Sequence, residues 1–120
     1  MDRILIVDDE FLIRYTLEEG LKDRGYDAYS AATVEEGLEF VRKYHPGVLL
    51  LDNLLENSVG MDEIVNFKNA DEELQVIMMT AYGSVSQAVE ATKRGAYDYI
   101  LKPFDVDEID MLIKRCLEQK

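Results

Sequence analysis

The sequence predicts an α/β domain built on a parallel sheet with helices on both faces. Short apolar runs alternate five times with segments in which apolar residues recur every three or four positions. The runs at 4–7 and 48–51 are continuous and do not alternate with polar residues, as expected for strands covered on both faces. At 120 residues the chain has the usual size of a single domain. We therefore expect one domain over 1–120, either whole or excised from a longer protein.

The first half of the chain carries three predicted strands and two predicted helices. Ile4 begins a β-branched apolar run, and Gly25 ends the helical pattern that follows it. Thr33 and Glu36 have the spacing of a capping box, which opens the second helix. Pro46 with Gly47 breaks the chain before the third strand. The predicted elements are strands 4–7, 27–30 and 48–51 and helices 11–23 and 33–44, the second strand being the weakest.

The second half carries two further strands and three helices. Ser84 and Gln87 form a second capping box, and the helix they open ends at Gly95. Asp105 caps the last helix, whose apolar stripe includes Cys116. The predicted elements are a short helix from 60 or 61 to 69, strand 74–79, helix 84–95, strand 97–101 and helix 105–117.

Composition excludes several classes of protein. The net charge is −12, with 25 acidic against 13 basic residues, so direct binding to nucleic acid is not expected. No apolar run approaches the roughly 20 residues of a membrane span, and the N-terminus does not look like a secretory signal. The single cysteine, Cys116, fits a reducing compartment, so we expect a cytoplasmic protein. The acidic excess fits either plain solubility or a cation site.

Polar residues of the kind found in functional sites follow four of the five strands. Asp8 and Asp9 follow the first strand, Asp52 the third, Thr80 the fourth and Lys102 the fifth. In open α/β sheets, ligands bind beyond the carboxyl ends of the strands. Taken singly, an aspartate after a strand is usually a cap or turn residue, and a lysine before proline is usually an ordinary loop residue. Their joint placement is what indicates a site.

The chemistry of this set favours a divalent cation and a phosphoryl group. If the first and third strands are neighbours, as in the doubly wound order 2-1-3-4-5, Asp8, Asp9 and Asp52 converge. Two carboxylates ~4 Å apart repel by about 4 kcal/mol at an effective dielectric constant near 20. Protonation or a bound cation would relieve this, and oxygen ligands suit Mg²⁺. With Lys102 and Thr80 as donors to phosphoryl oxygens, Asp52 can serve as a nucleophile that carries an acyl phosphate.

Four segments resemble the receiver domain of bacterial two-component response regulators, and the match covers essentially the whole chain. They are Ile-Leu-Ile-Val-Asp-Asp-Glu at 4–10, Leu-Leu-Leu-Asp at 49–52, Met-Thr-Ala-Tyr-Gly at 79–83 and Gly-Ala-Tyr-Asp-Tyr-Ile-Leu-Lys-Pro-Phe-Asp at 95–105. The resemblance supplies the flavodoxin-like fold and the strand order 2-1-3-4-5. Within the family, the chain is most similar to receivers of NtrC-type regulators, which join a receiver to an ATPase acting on sigma-54 polymerase and to a DNA-binding domain.

The resemblance implies a signalling switch that modifies only itself and is not otherwise an enzyme. Asp52 would accept a phosphoryl group from a sensor histidine kinase in a Mg²⁺-dependent reaction. The change at Thr80 and Tyr99 would then alter the face formed by residues 84–103, a homodimer contact that controls an effector and, through it, transcription. The other residues with implied roles are Asp8, Asp9 and the backbone carbonyl of Leu54 as metal ligands beside Asp52, Lys102 as the phosphate contact, and a cis Lys102–Pro103 peptide.

The loop after Asp52 departs from the family pattern. Proline is usual four residues after the acceptor, but Glu56 stands there, while the glycine eight residues on is kept as Gly60. Since glutamate neither fixes φ nor removes a donor, a freer loop is expected. We expect phosphorylation to survive, because no ligand side chain is lost. Leu54 and Tyr82 occupy positions that tune hydrolysis in this family, and their apolar or aromatic side chains predict a slowly decaying phosphoform.

Three other functions remain open from the sequence. A receiver-like interaction module that no longer signals by phosphate is compatible with the altered loop at Glu56. A Mg²⁺-dependent hydrolase would need a second acid two residues after Asp52, where Leu54 stands. A flavin or nucleotide binder would need a phosphate loop rich in glycine, serine or threonine after the first strand, where the chain has Asp-Asp-Glu at 8–10.

Overall fold

The computed structural model describes residues 2–55, 58–81 and 85–118, and strands and helices alternate along them. Each predicted element is present. The strands are β1 (Arg3–Val7), β2 (Asp27–Ala31), β3 (Val48–Asp52), β4 (Gln75–Thr80) and β5 (Asp98–Leu101), and the helices are α1 (Phe11–Asp23), α2 (Val34–Tyr44), α3 (Gly60–Ala70), α4 (Val85–Lys93) and α5 (Val106–Glu118).

The five strands form one parallel sheet in the order β2-β1-β3-β4-β5, which confirms the predicted fold class and topology. In the register of the sheet, Val7 lies opposite Leu51, and Thr80 lies opposite Leu101. The residues that follow β1 and β3 therefore leave the sheet side by side, as do those that follow β4 and β5. This register brings the polar strand ends to one edge of the sheet.

The sheet separates the hydrophobic core into two layers, because successive side chains on a strand point to opposite faces. One layer packs beneath α1 and α5, and the other beneath α2, α3 and α4. The apolar residues of β1 and β3 are completely buried, as their unbroken runs predicted. Principal residues are Ile4, Ile6, Leu21, Leu50, Ile77, Ile109 and Ile113 in the first layer and Leu5, Val7, Val41, Leu49, Ile64, Phe67 and Val76 in the second.

Side-chain caps open two of the helices, as predicted. The Thr33 hydroxyl accepts a hydrogen bond from the backbone N–H of Glu36 at 3.2 Å, before α2. Asp105 and Glu108 do the same before α5, where the Asp105 carboxylate accepts from the Glu108 N–H at 2.9 Å. Each bond satisfies a donor that the first turn of a helix leaves unpaired. The second predicted capping box begins at Ser84, which lies outside the described residues.

Glycines in the left-handed region follow α1 and α4. Gly25 has φ of +91° and Gly95 has φ of +111°, conformations that a side chain would strain. Both were predicted helix ends, and both are confirmed. The strands differ from prediction by one residue at a few ends, since β4 runs one residue later and β5 begins one residue later than expected.

The first half of α1 lies outside the core. The apolar pattern of the sequence predicts Tyr15 as a core or near-core residue, which is wrong, since its exposed fraction is 56% and that of Leu12 is 73%. The buried residues of α1 are Leu17 and Leu21, in its second half. The first turns of α1 therefore lie beyond the edge of the core and present apolar side chains to solvent, with Phe11 the third of them.

Helix α4 is attached to the sheet less firmly than α5. Among residues 86–93 of α4, Ala91 is the one buried side chain, whereas α5 buries Ile109, Ile113 and Cys116. Burial of Cys116 in the apolar stripe of α5 was predicted. None of the helices, over the residues described, has the length and apolar character needed to cross a membrane.

Candidate phosphoacceptor and cation site

Three carboxylates converge at the carboxyl ends of β1 and β3. Asp8, Asp9 and Asp52 each offer an oxygen, and these oxygens all lie within 4.8 Å of one another. Asp8 is completely buried and Asp52 is 4% exposed, while Asp9 is nearer to solvent. The structure thus brings together the three acids that the sequence predicted would meet.

Lys102 lies between the two buried acids. Its Nζ is 3.0 Å from Oδ2 of Asp8 and 3.2 Å from Oδ1 of Asp52, and its side chain is 13% exposed. Glu10 is a more distant partner, with Oε1 3.9 Å from the ammonium. Burial alone would lower the pKa of Lys102, but the hydrogen bond and charge of Asp8, with those of Asp52, raise it. Lys102 therefore remains a fixed cation at the base of the site.

Asp52 is the destabilised member of the cluster. Burial of its carboxylate and the charge of Asp8 raise its pKa from 3.8 to about 6, against the opposing effects of Lys102 and of a hydrogen bond from the Leu54 N–H. At neutral pH the group is still mainly ionised, but in a site that does not fully neutralise it. An ionised carboxylate with incomplete neutralisation is a competent oxygen nucleophile.

The residues of the site fit a hard divalent cation. Three carboxylates face a single ammonium, so the site has an excess of negative charge where the three oxygens meet. Carboxylate oxygens are the donors that Mg²⁺ and Ca²⁺ prefer. The softer donors of the chain are elsewhere, since His45 follows α2 and Cys116 is buried in α5. A zinc-type site is therefore not supported among the described residues.

Thr80 and Tyr99 lie on one face of the sheet, beside the acids. Thr80 ends β4 and is 3% exposed. Tyr99 is opposite Met78, two residues before Thr80, so both side chains point towards the α4 side. A narrow cleft that is too small to hold a water molecule lies between them, with Met61 and Gln87 also in its lining. The family resemblance implies a joint role for Thr80 and Tyr99, and the structure places both in the lining of the same cleft.

The loop after Asp52 is held at both flanks. Leu54 pairs with Val59 as an antiparallel bridge, and the Gly60 N–H donates to the carbonyl oxygen of Asn53 at 2.6 Å. A Cβ at Gly60 would lie 2.2 Å from the carbonyl oxygen of Asp52, so only glycine fits there. The prediction of a freer loop did not anticipate this pairing. Glu56, on which it rested, is outside the described residues, as is Tyr82.

Sequence reasoning missed two residues that support the site. Nη1 of Arg14 donates to the backbone carbonyl of Asp8 at 2.7 Å. The side-chain oxygen of Asn53 accepts from the N–H of Met61 at 3.1 Å, in the first turn of α3. Both are contacts between a side chain and the backbone, and their only signal in the sequence was position, since Arg14 lies one turn into the helix that follows the acids.

The Lys102–Pro103 peptide bond is cis, as predicted.

Comparison with known proteins gives consistent matches. The family model described as response regulator receiver domain matches residues 4–114. The sporulation initiation phosphotransferase F of Bacillus subtilis is 38% identical over 119 residues, which are 99% of this chain and 96% of that protein. The DNA-binding transcriptional regulator NtrC of Escherichia coli is 35% identical over 114 residues, 95% of this chain and 24% of that protein. The chain thus spans about a quarter of the length of several curated relatives.

Solved structures agree with the sequence matches. The beryllofluoride-activated NtrC4 receiver domain dimer superposes with a TM-score of 0.93 at 34% identity, covering 99% of this chain and 98% of that one. Together with the NtrC match, it confirms the predicted similarity to NtrC-type receivers. At this identity and coverage the likeness extends beyond the fold to the sequence.

Proposed function

The chain belongs to the response regulator receiver domain family, and we propose that it is a phosphorylation-controlled switch of a two-component system with Asp52 as its phosphoacceptor. The observation that carries this proposal is the state of Asp52. Its carboxylate is buried at a strand end, shares one ammonium with Asp8, and is incompletely neutralised. A buried charge of this kind costs stability and calls for a chemical role.

In the proposed reaction, a carboxylate oxygen of Asp52 attacks the phosphorus of a phosphohistidine on a sensor histidine kinase. The P–O bond forms while the P–N bond breaks, and the electron pair of that bond stays on the imidazole nitrogen. Mg²⁺, held by Asp8, Asp9, Asp52 and the Leu54 carbonyl, would neutralise charge on the phosphoryl oxygens. Lys102 contacts both buried acids, so its ammonium group is placed to contact the phosphoryl group once this group is bound to Asp52. The chain transfers this group only to itself, so it is a substrate and switch, with no separate reaction to catalyse.

The partner kinase would approach through a cleft beside the acceptor. A cleft of about 650 Å³ lies between α1 and the segment after β5, lined by Lys102 together with Leu12, Ile13 and Phe104. It is mostly apolar, and the exposed first turns of α1 continue it outwards. An apolar surface that borders a reactive carboxylate suits a protein phosphodonor, because docking there delivers the donor to Asp52.

The switch would act through Thr80 and Tyr99. Phosphorylation adds acceptor oxygens next to the Thr80 hydroxyl and favours its movement towards the acceptor. This movement enlarges the cleft between the two side chains and lets Tyr99 turn inward. Because Tyr99 and α4 share the second core layer, the position of α4 changes with it. The two arrangements then differ by a few kcal/mol, which one phosphoryl group can overcome.

The output face would be formed by residues 84–103, of which 85–103 are described. Val89 and Leu101 are about half exposed on this face and offer apolar contacts to a second copy of the chain. The related NtrC4 receiver is a dimer in its beryllofluoride-activated form. We propose that a homodimer through this face controls an effector domain and thereby transcription, in the cytoplasm.

Treatment with acetyl phosphate and Mg²⁺ tests the proposal. Intact-mass spectrometry should show one added phosphoryl group on wild type and none on Asp52→Asn. NMR with beryllofluoride and Mg²⁺ should shift resonances in residues 80–103. An unmodified wild-type protein would contradict the proposal and leave the interaction-only module as the better account. Modification at Asp52 without any shift in 80–103 would retain the acceptor and refute the switch.

A further inference from the structure

The backbone carbonyl of Asp8 receives a hydrogen bond from Nη1 of Arg14 at 2.7 Å. From this contact we infer that Arg14 is a positioning residue for the cation site: it fixes the peptide unit between Asp8 and Asp9, and through it the direction of the Asp9 carboxylate. The inference rests on the proposed function, in which Asp9 is a cation ligand. It assigns to Arg14 a role in cation affinity and not in the chemical step.

Asp8 is held at every polar atom. Its N–H donates to the carbonyl of Ala31 in β2, and its carboxylate accepts from the Glu10 N–H and from Lys102. The remaining polar atom is the carbonyl oxygen that Arg14 binds. Asp8 therefore needs no help from Arg14 to keep its own side chain in place.

Asp9 is in a different situation. In residues 2–55, 58–81 and 85–118, no hydrogen bond to its carboxylate is present, and the side chain is partly exposed. Its backbone nitrogen, however, belongs to the same planar peptide unit as the Asp8 carbonyl oxygen. A hydrogen bond that restrains this oxygen restrains the plane of the peptide unit, which contains the Cα of Asp9 from which its side chain starts. Arg14 is therefore the outer contact that orients the freer of the three acids.

The helix makes Arg14 a firm support. Arg14 lies within α1, where its own N–H donates to the Glu10 carbonyl at 3.1 Å. Its guanidinium is 5.9 Å from the centre of the Phe11 ring, a second contact that limits its rotamers. The N-cap residue Glu10 makes no side-chain capping bond, so the Arg14 contact is a tie between the first turns of α1 and the loop that carries the acids.

Charge and positioning predict opposite effects, and this makes the inference testable. Removing a positive charge beside three carboxylates should strengthen cation binding by Coulomb attraction alone. Removing a group that orients a ligand should weaken it, typically by 10-fold or more. A loss of Mg²⁺ affinity on deleting the Arg14 guanidinium therefore cannot be an effect of charge.

The experiment is isothermal titration of Mg²⁺ into wild type and Arg14→Met, which keeps an unbranched apolar stem and loses the donors. Arg14→Lys restores one donor, and Arg115→Met is the matched control, because it removes an exposed arginine from α5. We expect the Kd to rise about 10-fold in Arg14→Met, to recover at least in part in Arg14→Lys, and to be unchanged in Arg115→Met. Far-UV circular dichroism establishes that each variant is folded. Arg14→Leu, which also lacks a donor, replaces Arg14→Met should the latter not fold.

A folded Arg14→Met or Arg14→Leu that binds Mg²⁺ as tightly as wild type, or more tightly, would overturn the positioning role. In that result the acceptor proposal survives, since wild type still binds. Wild-type protein that binds no Mg²⁺ would instead overturn the cation site itself, and the positioning role with it. A Kd that rises equally in Arg14→Met and Arg115→Met would show that the loss of affinity is not specific to the contact with the Asp8 carbonyl, and would likewise refute the inference.

Discussion

Replacement of Asp52 by asparagine should stabilise the fold when divalent cations are absent. The carboxylate is 4% exposed, and burial and the charge of Asp8 raise its pKa from 3.8 to about 6. A group with a raised acidic pKa binds its proton more tightly in the folded state, so the ionised form opposes folding. Asparagine keeps the shape and an acceptor for Lys102 and removes the charge.

The magnitude follows from the shift. At about 1.36 kcal/mol per pKa unit, the ionised Asp52 costs up to about 3 kcal/mol at pH 7 and about half as much at pH 5. The free energy of unfolding of the wild type should therefore rise relative to that of Asp52→Asn as the pH falls from 7 towards 4. The difference between the two proteins should narrow over this window and nearly vanish near pH 4.

The assay is urea unfolding followed by far-UV circular dichroism in EDTA, at pH 7 and pH 5. Glu72→Gln is the control, because it removes one negative charge from an exposed position before β4 and should change stability by less than about 0.5 kcal/mol. Mg²⁺ should raise the free energy of unfolding of the wild type and so reduce the difference in stability between wild type and Asp52→Asn. An asparagine variant no more stable than wild type at pH 7, or a difference independent of pH, would refute the account of Asp52.

Three further changes should have defined results. Gly60→Ala places a methyl group against the Asp52 carbonyl and should destabilise by about 2 kcal/mol or more in urea unfolding; an unchanged midpoint would show that the loop can move aside. Thr33→Ala should lose about 1 kcal/mol because the Glu36 N–H loses its acceptor, whereas Thr33→Ser should retain most of it. The phosphoform should decay slowly, and Leu54→Glu should shorten its lifetime at least ~10-fold in a phosphate-release assay by positioning water; wild-type decay within seconds would contradict this.

Most of the fold was readable from the sequence because its signals were local. Continuous apolar runs at 4–7 and 48–51 marked strands covered on both faces, and both are completely buried. Thr33 and Asp105 marked helix starts through capping chemistry that depends on residues three apart. The strand order could not be predicted from local signals, because the alternation of strands and helices is compatible with several topologies. The predicted order came from the family resemblance.

The candidate site was predictable in its main side chains and not in its supports. Asp8, Asp52 and Lys102 follow strands, and parallel strands bring such residues to one edge. The Arg14 contact and the pairing of Leu54 with Val59 depend on backbone paths through loops, which no periodicity records. The helical pattern also did not show that the first turns of α1 are exposed. Such a pattern shows which residues share a face of the helix, but it does not show how far that face extends over the sheet.

The sparse burial of α4 means that little free energy holds this helix in one position on the sheet. Ala91 is the one buried side chain of residues 86–93, and burying a methyl group contributes ~0.8 kcal/mol, against several times more for the three buried side chains of α5. A helix held so lightly can be shifted by a handful of charge-assisted hydrogen bonds. Under the proposed switch, exchange of single solvent-facing residues on α4 should consequently change the balance between its two arrangements and leave the acidic edge of the sheet as it is.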